Sequence, residues 1–187
     1  MRFISWNVRG TKKIQILQEI AFLKRTHKPQ LLFLLETLVN RKNILQILPK
    51  LGFEDNDFVD PVDHSGGLAV LWDNGTIHAS VLKKDLRAIH MLVYDTIKKC
   101  NSIISGVYAP AQLQDKDSFW EQLVQMHHVV DIPWCIVSDL NELANPSEKK
   151  GGKRYPLSKF NRLNRFLDTI NGISIPVNGN HLEKPNT

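Results

Sequence analysis

Five consecutive apolar residues, Leu31–Leu35 (LLFLL), constrain this chain more than any other segment. The run is far too short to span a bilayer, and it lacks the apolar/polar alternation of a strand with one wet face. It suits a β-strand buried on both faces, as strands of covered α/β sheets are. Such a strand needs apolar cover on each side. Trp134–Val137 (WCIV) has the same character, and Leu68–Trp72 (LAVLW) follows the turn signal Gly66-Gly67.

Strand-like runs alternate with helical spacing elsewhere. Arg2–Trp6 reads as a short strand. Ile14, Leu17, Ile20, Ala21 and Lys24 keep helical spacing, closed by Lys28-Pro29. Asn43–Leu51 is expected to be helical and ended by Gly52. The centre carries IHASVLK, RAIHMLVYD and NSIISGVY, separated by turn signals. Asp115–Val130 and Pro156–Ile170 are expected helices, the second with Phe160, Leu163, Phe166, Leu167 and Ile170 on one face. Crossover-type and hairpin-type connections occur together. The expected fold class is therefore α/β (α+β), a sandwich containing a mixed sheet, in a single domain spanning 1–187.

The 187 residues are 42% hydrophobic and 23% charged, which excludes a disordered or collagen-like chain. The cysteines, Cys100 and Cys135, sit in no CxxC pair, so neither a zinc site nor a disulfide framework is expected. With no signal-like or membrane-spanning segment, an intracellular protein is expected, nuclear or cytoplasmic rather than secreted, with no membrane partner. Of the net charge of +5, residues 147–165 carry +6, from seven basic residues and one acid. Lys149, Lys150, Lys153 and Arg154 form its densest part. The segment is either a solvated loop and helix face or an attractor for a polyanion such as DNA, whose binding would be weak and salt-dependent.

Four apolar strands end in a polar residue that folding does not demand: Asn7, Glu36, Tyr108 and Asp139, with Asn141 two positions on. Sites in α/β sheets collect at the carboxyl ends of strands, where the core stops and loops begin. Glu36 and Asp139 are hard oxygen ligands suited to Mg²⁺ or Mn²⁺. Asn7 and Asn141 can ligate through oxygen or donate through nitrogen. Taken singly, each has a plainer role: a turn cap, a surface carboxylate, a packed phenol, a turn.

The same residues carry a family resemblance. Ile4-Ser5-Trp6-Asn7-Val8-Arg9-Gly10 resembles the opening SWNxRG of the endonuclease/exonuclease/phosphatase superfamily, closest to the endonuclease domain of plant LINE-type (non-LTR) retrotransposons. Leu34-Leu35-Glu36-Thr37 resembles its LxET element, Gly66–Trp72 its GGLALLW strand, Gly106-Val107-Tyr108-Ala109 its active-site Tyr element, and Ser138–Glu142 its GDFNE. The resemblance implies a two-sheet DNase I-like α/β sandwich with the site at one end. It implies that Asn7 and Glu36 bind a divalent metal, Mg²⁺ or Mn²⁺, with no small-molecule cofactor. Tyr108 would contact the scissile phosphate, Asp139 would orient or deprotonate water, and Asn141 would hold the phosphate. The implied reaction is metal-dependent hydrolysis of a DNA phosphodiester.

The match departs from the family at its end. Family members close on LDR and then SDH, whose Asp–His pair stabilises the phosphate. No Ser-Asp-His occurs in residues 1–187. The resemblance therefore implies an incomplete domain lacking C-terminal strands, with impaired hydrolysis. The competing expectations are a catalytically inactive relic that binds nucleic acid or a protein partner, and a superfamily phosphatase acting on small phosphates.

Overall fold

The computed structural model describes residues 1–11, 14–40, 42, 51–62, 65–142 and 161–175. Residues 1–141 form one compact unit and residues 142–187 a second. The first contains eight described strands in two four-stranded sheets.

The first sheet has the order β1 (Phe3–Asn7), β2 (Leu31–Leu35), β4 (Leu68–Trp72), β3 (Asp55–Val59). β1 runs parallel to β2, with α1 (Ile14–His27) as the crossover between them; the other pairs are antiparallel. The second sheet has the order β5 (Ile77–Lys84), β6 (Ala88–Asp95), β7 (Cys100–Tyr108), β8 (Trp134–Asp139). Here β5, β6 and β7 form antiparallel hairpins, and β8 returns parallel to β7 after α2 (Leu113–Val129). Each sheet thus contains one parallel pair joined through a helix. In the second unit the described helix is α3 (Asn161–Thr169), with Phe166 buried.

All five residues of β2 are buried, and their alternation divides them between two cores. Leu32 and Leu34 join Ile20 of α1, Ala69 and Leu71 on one face. Leu31, Phe33 and Leu35 join Val70, Ile89, Met91 and Ile104 on the other, between the sheets. The expectation of a doubly covered strand holds. Gly106 of β7 lies directly against Phe33, and a Cβ at Gly106 would overlap its ring. This glycine is a packing residue, allowing the two sheets to approach.

β3 was not expected from the sequence. Its residues, DNDFV, are mostly polar, and only Phe58 is buried. It is an edge strand, held by its ladder to β4 rather than by apolar alternation. The α2 helix begins at Leu113, slightly before the expected Asp115. Residues 43–50 of one expected helix and 156–160 of another lie outside the described residues. No described helix is long and apolar enough to cross a membrane.

Away from the core between the sheets, three strands share a buried polar chain. Trp134 Nε1–H donates to Ser105 Oγ at 2.7 Å, and Ser105 Oγ lies 2.7 Å from His90 Nδ1. The Ser105 hydroxyl is then free to donate to the Nδ1 of a neutral ring. Burial holds the His90 imidazole below its ordinary value of 6.5; Asp85 pulls it up and Lys83 pushes it down.

Two predictions follow from this packing. Gly106→Ala should lower the unfolding free energy by about 1–3 kcal/mol, the usual range for overpacking. In urea denaturation, a Phe33→Leu background should recover part of that loss. The second concerns pH. Unfolded His90 takes up a proton near pH 6.5, whereas folded His90 does so only at lower pH. The unfolded state therefore binds more protons as pH falls through that window, and stability declines. Tm should drop between about pH 7 and pH 5, and His90→Gln should flatten that slope.

Candidate active site

Both parallel pairs end in the same place. In the first sheet Asn7 is the last residue of β1, opposite Leu35, and Glu36 follows immediately. In the second, Tyr108 ends β7 directly opposite Asp139, which ends β8. The side chains close a ring across the sheets. Asn7 Nδ2 donates to Asp139 Oδ2 at 2.9 Å. The Tyr108 phenol sits beside the Glu36 and Asp139 carboxylates, whose charges act on it. The four strand-end residues singled out from sequence therefore come together at the carboxyl ends of β1, β2, β7 and β8.

The loops beneath these side chains explain their placement. Glu36 and Leu38 have φ of +58° and +54°, a left-handed conformation unfavourable for such residues. A web of backbone bonds holds them there. Gly10 N–H donates to Glu36 O at 2.8 Å and Thr11 N–H to Thr37 O at 2.9 Å. From the other side, Thr37 N–H donates to Gly67 O at 3.0 Å and Leu38 N–H to Gly66 O at 3.2 Å. Gly66 and Gly67 are themselves left-handed, and a Cβ on Gly67 would strike the Thr37 hydroxyl. The GG pair that opens β4 thus shapes the loop carrying Glu36.

Asp139 is held at both oxygens: Oδ2 by Asn7, Oδ1 by the Asn141 N–H at 3.2 Å. Asn7 is fixed in turn, its Oδ1 accepting the Arg9 N–H at 3.1 Å. Asn141 has φ +47°; its Nδ2 donates to Ala109 O at 2.8 Å and its main-chain oxygen accepts from Lys116 Nζ at 2.8 Å. Arg87, in the β5–β6 hairpin, adjoins the ring: its carbonyl accepts the Tyr108 N–H at 2.9 Å. Burial, then the negative charges of Glu36 and Asp139, push the Tyr108 phenol above its ordinary value of 10; the Arg87 cation opposes them. Tyr108 is therefore a hydrogen-bond donor at neutral pH.

Sequence reasoning missed Lys116 and Arg87. Lysine and arginine are normally solvated, and neither lies in a strand-end pattern. A cation in the first turn of α2, where the helix dipole opposes it, was the available signal for Lys116. The basic candidates Lys149, Lys150, Lys153 and Arg154 lie outside the described residues, as do His64 and His181. The described histidines are committed elsewhere: His90 to Ser105, His78 stacked on Tyr94, His127 on Trp134 with His128 beside it, and His27 at the end of α1.

The donor set has a clear preference. Among the described residues no group of three or more His, Cys, Asp or Glu side chains gathers into a metal cage. What the cleft presents are hard oxygens, the Glu36 carboxylate and Asn7 Oδ1. They fit an ion that keeps several of its own waters, as Mg²⁺ does.

No protein-family model matches the sequence, and no curated protein matches it. Solved structures do match the fold. The AP endonuclease LMAP of Leishmania major superposes with a TM-score of 0.73 at 14% identity, covering 91% of this chain and 66% of that one. The endonuclease domain of TRAS1, a telomere-specific non-LTR retrotransposon, gives 0.64 at 11% identity, covering 90% and 70%. An AP endonuclease from Archaeoglobus fulgidus gives 0.62 at 16% identity, covering 88% and 69%. The chain spans about two thirds of the length of each. These likenesses establish a shared two-sheet fold.

The state of the Tyr108 phenol is open to direct measurement. Its ¹³Cζ resonance should titrate above pH 10, and Glu36→Gln, which removes the adjacent negative charge, should move the midpoint back down. A midpoint unmoved by Glu36→Gln would separate the two side chains.

Proposed function

We propose that this chain, which has the DNase I-like fold of the endonuclease/exonuclease/phosphatase superfamily, hydrolyses phosphodiester bonds of DNA with the help of a divalent metal. The observation that carries the proposal is the clamped Asp139. A carboxylate held at Oδ2 by Asn7 and at Oδ1 by the Asn141 N–H keeps a spare lone pair on each oxygen in a fixed direction. That is the requirement for a general base that positions water.

In this reading Glu36 and Asn7 Oδ1 hold Mg²⁺ or Mn²⁺ together with waters. When bound, the ion supplies Lewis-acid polarisation of the phosphate and neutralises its developing charge. Asp139 accepts the proton of the attacking water as its oxygen bonds to phosphorus. The bond from phosphorus to the 3′-oxygen breaks, and the leaving oxygen takes a proton from solvent. The products are a 3′-hydroxyl and a 5′-phosphate, a nick in one strand. Once Glu36 is engaged by the metal, Tyr108, kept protonated, turns its one O–H to a non-bridging oxygen. Asn141 uses one Nδ2 hydrogen on Ala109 O and retains the other for the phosphate.

DNA rather than a small phosphate is proposed because SWNVRG and GGLAVLW follow the retrotransposon spelling, and because residues 147–165 are strongly basic. The polypeptide of residues 1–187 contains no Ser-Asp-His element, and no described imidazole lies in the cleft. A supercoiled-plasmid assay tests the proposal. Nicking should require Mg²⁺ or Mn²⁺, stop with EDTA, and fall at least about 10³-fold in Asp139→Ala. Metal-independent nicking, or nicking that survives Asp139→Ala, would overturn it. Salt-dependent DNA binding with no hydrolysis would favour the inactive binding relic instead.

A further inference from the structure

Lys116 is the least expected charge in the molecule. It is the fourth residue of α2, so the positive end of the helix dipole opposes its ammonium. It is only 7% exposed, and a buried ammonium is costly unless partnered. Folding preference alone favours neither the position nor the burial. Residues kept against folding preference tend to serve a site.

Its partner is specific. Lys116 Nζ donates to the main-chain oxygen of Asn141 at 2.8 Å. Asn141 follows the last strand of the second sheet by two residues and holds φ +47°. A left-handed residue at a strand end tends to relax unless its neighbours over-determine it. Three bonds do so here. The Asn141 N–H is tied to Asp139 Oδ1, its Nδ2 to Ala109 O, and its oxygen to Lys116. Two of the three are charge-assisted, through the Asp139 carboxylate and the Lys116 ammonium, and of these two only the bond to Lys116 comes from outside the turn. It also comes from a helix, a rigid element, whereas Ala109 O belongs to the loop that follows β7.

We propose that Lys116 is a positioning residue whose ammonium anchors the Asn141 carbonyl, holding the 139–141 turn so that Asp139 and Asn141 face the reacting phosphate. Lys116 does not touch substrate in this scheme. Releasing it frees the turn and loosens the Asn141 N–H from Asp139, so the carboxylate loses one of its two clamps. The proposal rests on the nuclease reading for its catalytic consequence, though the mechanical coupling itself does not.

Two measurements on the full chain separate the two. The first is steady-state nicking by wild type, Lys116→Met, Lys116→Arg and Asn141→Ala. Lys116→Met should lower kcat at least tenfold with KM within about twofold, since misaligned groups reduce turnover more than binding. Lys116→Arg, which keeps a charged donor, should recover most of the loss. Asn141→Ala keeps the main-chain oxygen that Lys116 grips, so Lys116→Met should still lower kcat in the Asn141→Ala background. The second is hydrogen exchange of the peptide containing Asn141. Lys116→Met should speed exchange of its amide at least tenfold at unchanged Tm, and Lys116→Arg should not. If Lys116→Met fails to fold, Lys116→Gln carries both tests.

Unchanged exchange in a folded Lys116→Met protein would overturn the proposal, as would a kcat within twofold of wild type. Faster exchange in a wild-type background that shows no metal-dependent nicking would uphold the linkage while rejecting the nuclease reading.

Discussion

The two sheets meet through Phe33 and Gly106, and the rest of the structure depends on that contact. Phe33 projects from a strand whose alternate residues, Leu32 and Leu34, are already committed to the layer beneath α1. It therefore has to be covered from the opposite side, and a strand without a Cβ at the point of closest approach lets the second sheet cover it. Dispersion and burial both favour the tightest approach available. The spacing between the sheets sets how far Asn7 on one is from Asp139 on the other, and the 2.9 Å bond between them spans that gap.

The cleft follows from chain direction. Each sheet contains one parallel pair, so two carboxyl ends lie together on each side: β1 with β2, and β7 with β8. The packed sheets bring these ends to one place. A purely antiparallel arrangement would scatter the same four residues to opposite ends of the sandwich. The parallel pairs require helical crossovers, and α1 and α2 supply them. The second crossover also carries Lys116, so one helix completes the topology and holds a loop of the site.

The site is a chain of constraints rather than a set of independent side chains. Gly66 and Gly67 shape the Glu36 loop; burial and then Glu36 raise Tyr108; Tyr108 faces Asp139; Asp139 is held by Asn7 and by the turn at Asn141. Left-handed backbone recurs along it, at Arg9, Glu36, Leu38 and Asn141. Each such residue stores strain of order 1–3 kcal/mol that the surrounding bonds must hold in place. Backbone strain of this kind clusters at functional sites, which is the character of the candidate site here.

How much of this was legible in the sequence depended on range. LLFLL by itself required a strand covered twice, because five apolar side chains on a period of two leave no wet face. The polar residues closing Arg2–Trp6, LLFLL, SGVY and WCIVS pointed to strand ends, and the family resemblance those motifs carry implied a two-sheet sandwich. β3 escaped notice because an edge strand draws its stability from its ladder to β4 and needs no apolar alternation. Gly106 looked like any strand glycine until Phe33 stood against it. Lys116 and Arg87 were invisible for a related reason: a charge is assigned to solvent unless its surroundings are known. Lys116 is bonded to Asn141, 25 residues on, and the Arg87 charge acts on Tyr108, 21 residues on. Periodicity and strand-end chemistry are local properties that a sequence carries in full. The pairing of buried charges and the approach of one sheet to another arise only when distant segments share a core, and there the tertiary structure alone decided.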